Sequence, residues 1–358
     1  MTIQAKRSAT IEDVARHAGV SRAAVSKVIR DAYGVSDEMR LRVHASIAEL
    51  GYRPRAAARA MRGSSYTLGF EIPSIRNHFF PKIITGALAA LAGTRYQLIV
   101  APAGLDPDGA RQAVQVLIDR QVDGFMTISP TLAPEWFEEI GQRTPVVMLG
   151  RHDASINYDT IAGDDIAGAR LAVGHLRDLG HRDIVHLTST PEAEANIPSA
   201  PHIVRAAGYE RAMTELGCGD RIRIVHVEPN EGASRDAALA LLSGDERPSA
   251  IFAGHDELAL GVLQATAELG LTPAEVSVIG YDDTDIAAYP AVSMTSINQF
   301  GTRMGQIVIE LLLDRIAGRT EPVHEVIAPR LMVRHSTAPW SGGASRAHTD
   351  VRQNELSE

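Results

Sequence analysis

Between residues 64 and 335, short apolar runs alternate with amphipathic helical runs, and that alternation leaves the chain few folds to choose from. Strands separated by helix-length segments cannot pair as tight hairpins; they build a parallel sheet with helices on its faces. The strand candidates are residues 67–72, 97–101, 124–128, 146–149, 184–187, 224–227, 250–253 and 276–280. Helical patterns between them include residues 82–91, 109–119, 165–179, 204–216 and 257–269. At about 100–200 residues per domain, this stretch is long enough for two lobes. The strands divide before and after about Ala162.

Open parallel sheets bind ligands outside the carboxyl ends of their strands, so the residues that follow each strand are the candidates for a site. Ser74 follows the first strand, and then come Asn77, His78, Phe79 and Phe80. Ser129 follows the third strand and Arg151 the fourth. Arg205 opens a helix after a proline-containing loop, and His255 and Asp256 follow the run ending at Ala253. Tyr281, Asp282 and Asp283 follow residues 276–280, and Asn298 and Gln299 follow an apolar run at 294–297. Aromatic faces beside Asn, Asp, Arg and His suit a polyhydroxylated small molecule, which needs stacking on one face and paired hydrogen bonds at its rim. Structural roles compete at several of these positions. Arg205 and Asp282 also suit an ion pair between lobes, His255 a helix cap beside Asp256, and Phe79 and Phe80 ordinary core; Asp283 reads as structural. An imidazole at the rim would add pH sensitivity near neutrality.

The first 62 residues differ from this body in charge. They hold 12 Lys/Arg and 6 Asp/Glu, while the remainder holds 23 and 38. A basic end on an acidic protein presents that end to a polyanion. Within it, Thr10 caps a first helix and Asp13, three residues on, completes the box; Ile11, Val14, Ala15 and Ala18 share one face; Gly19 stops the helix. Ser21 caps a second helix whose apolar stripe is Val25, Val28 and Ile29, leaving Arg22, Ala23, Ser26, Lys27 and Arg30 facing mostly outward. A third helix spans residues 36–50, with Asp37 and Glu38 in its first turn and Val43, Ile47 and Leu50 inward, and Gly51 stops it. This is a helix–turn–helix headpiece, whose second helix lies in the major groove. Arg22 suits guanine O6 and N7, Ala23 the thymine methyl, and Lys27 either guanine or a phosphate. Ser21, Ser26 and Arg30 suit phosphates, which fix register without reading sequence.

Here the chain resembles a known family. Thr10-Ile11-x-Asp13-Val14-Ala15-x-x-Ala18-Gly19-Val20-Ser21, then Val25-Ser26-Lys27-Val28, Val35-Ser36 and Glu49-Leu50-Gly51-Tyr52-x-Pro54, is similar to the start of lactose-repressor (LacI/GalR) family regulators, and the similarity continues to about residue 335. The resemblance implies an N-terminal all-α headpiece (residues 1–53), a hinge helix (54–63) and an α/β core of two doubly wound parallel-sheet lobes like a periplasmic binding protein (64–338), joined by three crossovers. It implies a homodimer on palindromic operator DNA, switched by a small-molecule effector such as a sugar or glycoside. The hinge helix would form on DNA, bring Arg55 and Arg59 to it and push Met61 into the minor groove, where the family usually has Leu; Arg55 stands where the family often has Asn. With these, the DNA-contacting set is Thr10, Ser21, Arg22, Ala23, Ser26, Lys27, Arg30, Arg55, Arg59 and Met61. Arg205 matches the residue that holds ligand hydroxyls, Asp282 the acidic residue of the second lobe, and Gln299 a crossover residue near the ligand. His255-Asp256 stands where the family most often has Asn-Asp. The effector set is Ser74, Asn77, Phe79, Phe80, Ser129, Arg151, Arg205, His255, Asp282 and Gln299.

Helices 82–91 and 257–269 carry Ile83, Ala87, Leu88, Ala90 and Leu91, and Leu258, Ala259, Val262, Leu263 and Thr266, a stripe that suits a subunit interface. Residues 339–358 read as a disordered tail, without the leucine heptad that would make a tetramer. One cysteine, Cys218, excludes an internal disulfide or thiolate cluster. No run is apolar enough to span a membrane, and residues 1–9 do not read as a signal peptide, so a cytoplasmic, nucleoid-associated protein is expected. Catalytic motifs are missing, no cofactor is called for, and His175, His181 and His186 read as structural and not as a metal site. Two rivals remain: a sugar-binding protein with no regulatory role, and a regulator that needs a co-repressor or protein partner to bind DNA.

Overall fold

The structure is a computed structural model and describes residues 9–29, 32–52, 64–104, 106–128, 131–189 and 197–342. It divides into two compact units, residues 1–65 and 66–358. The expected hinge, with Arg55, Arg59 and Met61, lies outside the described residues, as do Arg30, Ser129 and residues 343–358.

The first unit is three helices: α1 (Ile11–Ala18), α2 (Arg22–Ile29) and α3 (Asp37–Leu50). Local chemistry fixes their ends. The Thr10 hydroxyl accepts from the Asp13 amide while the Asp13 carboxylate accepts from the Thr10 amide at 2.9 Å, a reciprocal box. Ser21 accepts from the Ala24 amide at 3.1 Å and Ser36 from the Met39 amide at 3.3 Å. Gly19 takes φ 65°, a left-handed turn that a side chain would strain. The core is Val14, Ala15, Ala18, Val25, Val28 and Val43, with Val20, Ile47 and Leu50 packed against it.

The second unit holds β1 (Thr67–Ile72), α4 (Phe79–Leu91), β2 (Gln97–Pro102), α5 (Pro107–Asp119), β3 (Gly124–Thr127), α6 (Pro134–Gly141), β4 (Val146–Leu149) and β5 (Asp159–Gly163). Then come α7 (Asp165–Asp178), β6 (Ile184–Ser189), α8 (Pro201–Glu215), β7 (Arg223–Val227), α9 (Glu231–Ser243), β8 (Ala250–Ala253), α10 (Asp256–Glu268) and β9 (Ser277–Tyr281). Last are β10 (Thr295–Asn298), α11 (Gly301–Ile316), β11 (His324–Ile327) and β12 (Arg330–Met332). Two six-stranded sheets result, in the orders β11-β5-β4-β3-β1-β2 and β12-β10-β9-β8-β6-β7. Pairing is parallel except where β12 closes the second sheet antiparallel to β10. The chain crosses between lobes three times, from β5 to α7, from β10 to α11 and from β11 to β12, as the resemblance implied.

In each sheet the strand order reverses at one point, between β1 and β3 and between β6 and β8. The crevice outside such a reversal is where doubly wound sheets hold ligands. Apolar clusters pack both sheets, with Leu68, Phe70, Met126 and Val308 in the first lobe and Ile184, Tyr209, Phe252 and Ile279 in the second.

Within the first lobe α4 and α11 approach at backbone contact. A Cβ at Gly86 would collide with the Thr302 carbonyl and one at Gly305 with the Ile83 carbonyl. Gly305→Ala is therefore expected to cost about 1–3 kcal/mol or more, because neither backbone can withdraw. Gly174→Ala, on α7 with open space around its Cβ, is expected to gain about 0.5–1 kcal/mol. Urea midpoints of the two variants check both signs.

This packing revises the expected subunit stripe. Ile83, Ala87 and Leu91 are buried in the first lobe's core, and Leu258, Ala259, Val262 and Thr266 within the second lobe. Of the large apolar residues on α4, Leu88 is the one left outward, 54% exposed. The start of the expected tail is also tied down: the Trp340 amide donates to Leu179 O at 2.9 Å and the Ser341 amide to Ala274 O at 3.0 Å.

Candidate functional site

In the first unit, α2 presents Arg22, Ala23 and Lys27 to solvent. One guanidinium nitrogen of Arg22 lies 3.2 Å from the Glu12 carboxylate, both side chains well exposed. Ser26 departs from expectation. It is 9% exposed, because it sits at the edge of the apolar stripe beside Ile29, and its short side chain turns inward. The Thr10 hydroxyl accepts from the Asp13 amide and donates its proton to the Asp13 carboxylate at 2.7 Å, which leaves it no donor for a phosphate; Ser21 accepts from the Ala24 amide and keeps its proton for one.

In the second unit a cleft of about 540 Å³ opens between the lobes at the two strand-order reversals. Ser74, Asn77, Phe79, Phe80, Arg205, His255, Asp282 and Gln299 all line it. So do Asp106, Ser189, His202, Glu228 and Glu257, none of which the pattern of residues after strands had marked.

Arg205 stands on the first turns of α8 at 5% exposure. Its Nε and Nη2 donate to one oxygen of Asp165, at 3.1 and 2.7 Å, and its Nη1 to the Gly254 carbonyl. Its guanidinium lies 3.5 Å from the centre of the Tyr281 ring. The ion pair weighed as an alternative for Arg205 is thus made with Asp165, at the start of α7 in Arg205's own lobe, and not with Asp282. Asp165 also bridges to the first lobe, 3.4 Å from His152 Nε2. That hydrogen bond raises the His152 pKa against the effect of burial.

Asp282 takes φ 110° and Asp283 φ 48°, uncommon for residues with a Cβ. This turn aims Asp282 at the crossover, where it accepts from Gln299 Nε2 at 2.6 Å. Burial, and then the neighbouring Asp256 charge, push the Asp282 carboxyl well up. Asp256 itself is pushed up to about 6 by burial, despite accepting from Ser296 and Thr284. Asp283 is structural, as read, bonded to Arg334 at 2.6 Å and Asn298 at 2.8 Å.

Two expectations are corrected. Arg151 does not reach the cleft: fully buried, it pairs with Asp153 at 2.8 Å and donates to Leu132 O at 2.6 Å. Following a strand set its place in the chain but not the direction its side chain took. His255 does line the cleft, at the N-cap of α10 but without a side-chain cap bond. Burial, with Arg205 next, lowers its pKa to about 3, so it does not titrate near neutrality. His202 is lowered to about 4 by the same two causes. Phe79 and Phe80 play both roles weighed for them, each 8% exposed in the core cluster and part of the cleft wall.

The other histidines serve the fold. His186 stacks on Phe252 with ring centres 4.6 Å apart and bonds to Phe252 O at 2.9 Å; His181 donates to Ala338 O at 3.0 Å; His175 meets Thr337 Oγ1 at 3.0 Å. Among the described residues no group of three His, Cys, Asp or Glu is placed to hold a metal ion.

Comparison with known proteins gives two family matches: the bacterial regulatory proteins of the lacI family over residues 10–55, and the periplasmic binding protein-like domain over residues 173–337. The ribose operon repressor of Escherichia coli (strain K12) is 32% identical over 338 residues, which cover 92% of this chain and 99% of that protein. The structure of the lac repressor dimer bound to operator and the anti-inducer ONPF is 26% identical, covers 93% of this chain and all of that one, and superposes with a TM-score of 0.77. A complex of the transcriptional regulator CelR with cellobiose is 29% identical, covers 92% of this chain and 99% of that one, with a TM-score of 0.65.

Proposed function

Because the chain belongs to the lacI family of bacterial regulatory proteins, we propose that it is a transcriptional repressor which leaves a palindromic operator when a sugar-like effector binds between its lobes. The observation that carries this is the presence, in one chain, of a capped helix–turn–helix with Arg22, Ala23 and Lys27 outward and of an interlobe cleft lined by Arg205, Asp282 and Gln299. No catalytic step is assigned to it. Among the described residues no helix is long and apolar enough to cross a membrane, and a bacterial operator-binding protein acts in the cytoplasm, on the nucleoid.

The operator-bound dimer of the lac repressor supports a homodimer here, as does an apolar surface on the first lobe. β2 is an edge strand with both faces largely open, and Ile99 (38% exposed), Val100 (37%), Val116 (40%) and Leu88 (54%) lie along it and its flanking helices. An open edge of this kind is normally covered. A twofold dimer would place two headpieces on half-sites about one helical turn apart. The effector acts by binding one arrangement of the lobes better than the other; equal affinity would shift nothing. Loss of the shared operator lowers affinity towards the non-specific level, about 10³–10⁷-fold weaker.

Recovery of genomic DNA fragments on the purified chain at near-physiological salt tests the proposal. A palindrome beside an operon is expected; binding that is sequence-blind with and without ligands would sink it. Arg22→Ala is expected to cost about 1–3 kcal/mol and to relax preference at one G·C position in each half-site, whereas Lys27→Ala, as a phosphate contact, weakens all sequences alike and lowers the salt slope by about one. Titrations on single-base operator variants at several salt concentrations separate the two effects.

A further inference from the structure

The cleft's two walls differ in chemistry, and that difference selects a class of ligand. This step rests on the proposal that the cleft is the effector site. The first lobe contributes a mainly apolar wall, with Phe79, Phe80, Ile83 and Met304, and Asn77 and Asp106 as polar members. The second lobe contributes the polar wall, with Arg205, His202, His255 and Asp282.

We infer that the effector is an uncharged glycoside-like molecule, with hydroxyls at the end facing the second lobe and an apolar group at the end facing the first, and that the cleft rejects phosphorylated and carboxylated sugars. An anion needs an uncompensated cation or free backbone amides. Arg205 is the one Lys or Arg among the described lining residues, and Asp165 already neutralises it through two hydrogen bonds. The two imidazoles beside it carry no charge at neutral pH, since burial holds their pKa values at about 4 and about 3.

Of the helix ends that reach the cleft, those of α4, α5 and α9 have a side chain on a first-turn amide, while α8 and α10 have no such cap and oppose an anion through a missing amide or through charge. The α5 amide of Gly109 is taken by Asp106 at 2.7 Å, α9 carries Glu231 in its first turn, and α10 carries Asp256 and Glu257. At α4 the Phe79 amide is taken by Asn77 at 2.8 Å, and α8 begins with Pro201, which has no amide hydrogen. Glu228, Glu257 and Asp106 also line the cleft and repel a second negative charge. What the polar wall offers instead is neutral hydrogen bonding. His255 Nδ1 is buried with no hydrogen-bond partner among the described residues, and a ligand hydroxyl would satisfy it.

Thermal melts of the full chain at pH 7.5 test this with matched pairs: ribose and ribose 5-phosphate, glucose and glucose 6-phosphate, phenyl β-D-glucopyranoside and phenyl β-D-glucuronide. A bacterial metabolite extract, split on an anion exchanger into unretained and retained fractions, is assayed alongside. The unretained fraction and neutral probes are expected to raise Tm, phenyl glucoside more than glucose; a ligand at about 100 times its Kd gives on the order of 5 °C. A charged member that outperforms its neutral twin, or stabilisation confined to the retained fraction, would overturn the inference while leaving the cleft an effector site. Silence from every probe and both fractions would refute the effector reading of the cleft, and this inference with it.

Discussion

Arg205→Ala is expected to destabilise the second unit by about 3–5 kcal/mol, the loss that follows when one partner of a buried ion pair is removed and the other is left behind. Asp165 is 1% exposed and would keep its charge out of water without the guanidinium, while the Gly254 carbonyl would lose its donor. Much of the loss should return in Arg205→Leu/Asp165→Leu, which removes the stranded charge as well; Arg205→Lys should not restore it, because an ammonium cannot reproduce the guanidinium's planar set of donors and its stacking on Tyr281. His152 would be the remaining partner of Asp165. Its raised pKa means that its contribution is present below the unfolded value of about 6.5 and fades as pH rises, so the Ala variant should lose more at pH 8 than at pH 6. Urea midpoints at the two pH values check this. The Ala variant should also hold its operator at effector concentrations that release the parent, and release at parental concentrations would remove Arg205 from the effector site.

Mild acid is expected to weaken the lobes through their buried histidines. His186, fully buried between Phe252 and Tyr209, has its pKa lowered to about 3, and His255 and His202 are lowered to about 3 and about 4. The unfolded chain takes up a proton at each as pH falls through about 6.5, and the folded chain does not. Stability therefore falls on that side, by about 2 kcal/mol at pH 5 for His186 alone, with smaller contributions from the other two, which face the cleft. Asp256 acts in the opposite direction. With its carboxyl pushed up to about 6, the folded state gains a proton first, returning on the order of 1 kcal/mol over the same interval. Asp282, whose carboxyl burial pushes well up, and His152, raised by Asp165, act in the same direction as Asp256, so denaturant titrations should show a net loss between pH 7 and pH 5 that is smaller than the three histidines alone would give. His186→Phe should flatten that slope by about 1.4 kcal/mol per pH unit, and an unchanged slope would show that His186 is protonated in the fold.

The elements that could be read from sequence are those whose signals are local. Thr10 with Asp13, Ser36 and Gly51 mark helix ends through atoms three or four residues apart, and the strands at 146–149 and 250–253 are apolar throughout. β11 and β12 were not legible: β11 is largely exposed and β12 only partly buried, and their partners, β5 and β10, lie far off in sequence. The same divide runs through the site. Ser74, Asp282 and Gln299 follow strands and could be placed at the cleft from that alone. Asp165 and His202 open helices, where an acidic or polar residue is ordinary, and nothing in the chain marks Asp165 as Arg205's partner forty positions away. Arg151 and Ser26 show the limit from the other side: a correct element still leaves the direction of a side chain to its neighbours.

The return of the chain to the first lobe has a consequence for biosynthesis. α4 emerges from the ribosome early, yet the helix that covers it, α11, is translated about two hundred residues later. At about 5–20 residues per second, Ile83, Gly86 and Ala87 wait on the order of ten seconds or more for their packing partner. The β11 strand that closes the first sheet comes later still. The amino-terminal lobe is thus among the last parts of the molecule to be completed, and a nascent chain stalled before Gly301 exposes an unfinished apolar groove to whatever chaperones attend it.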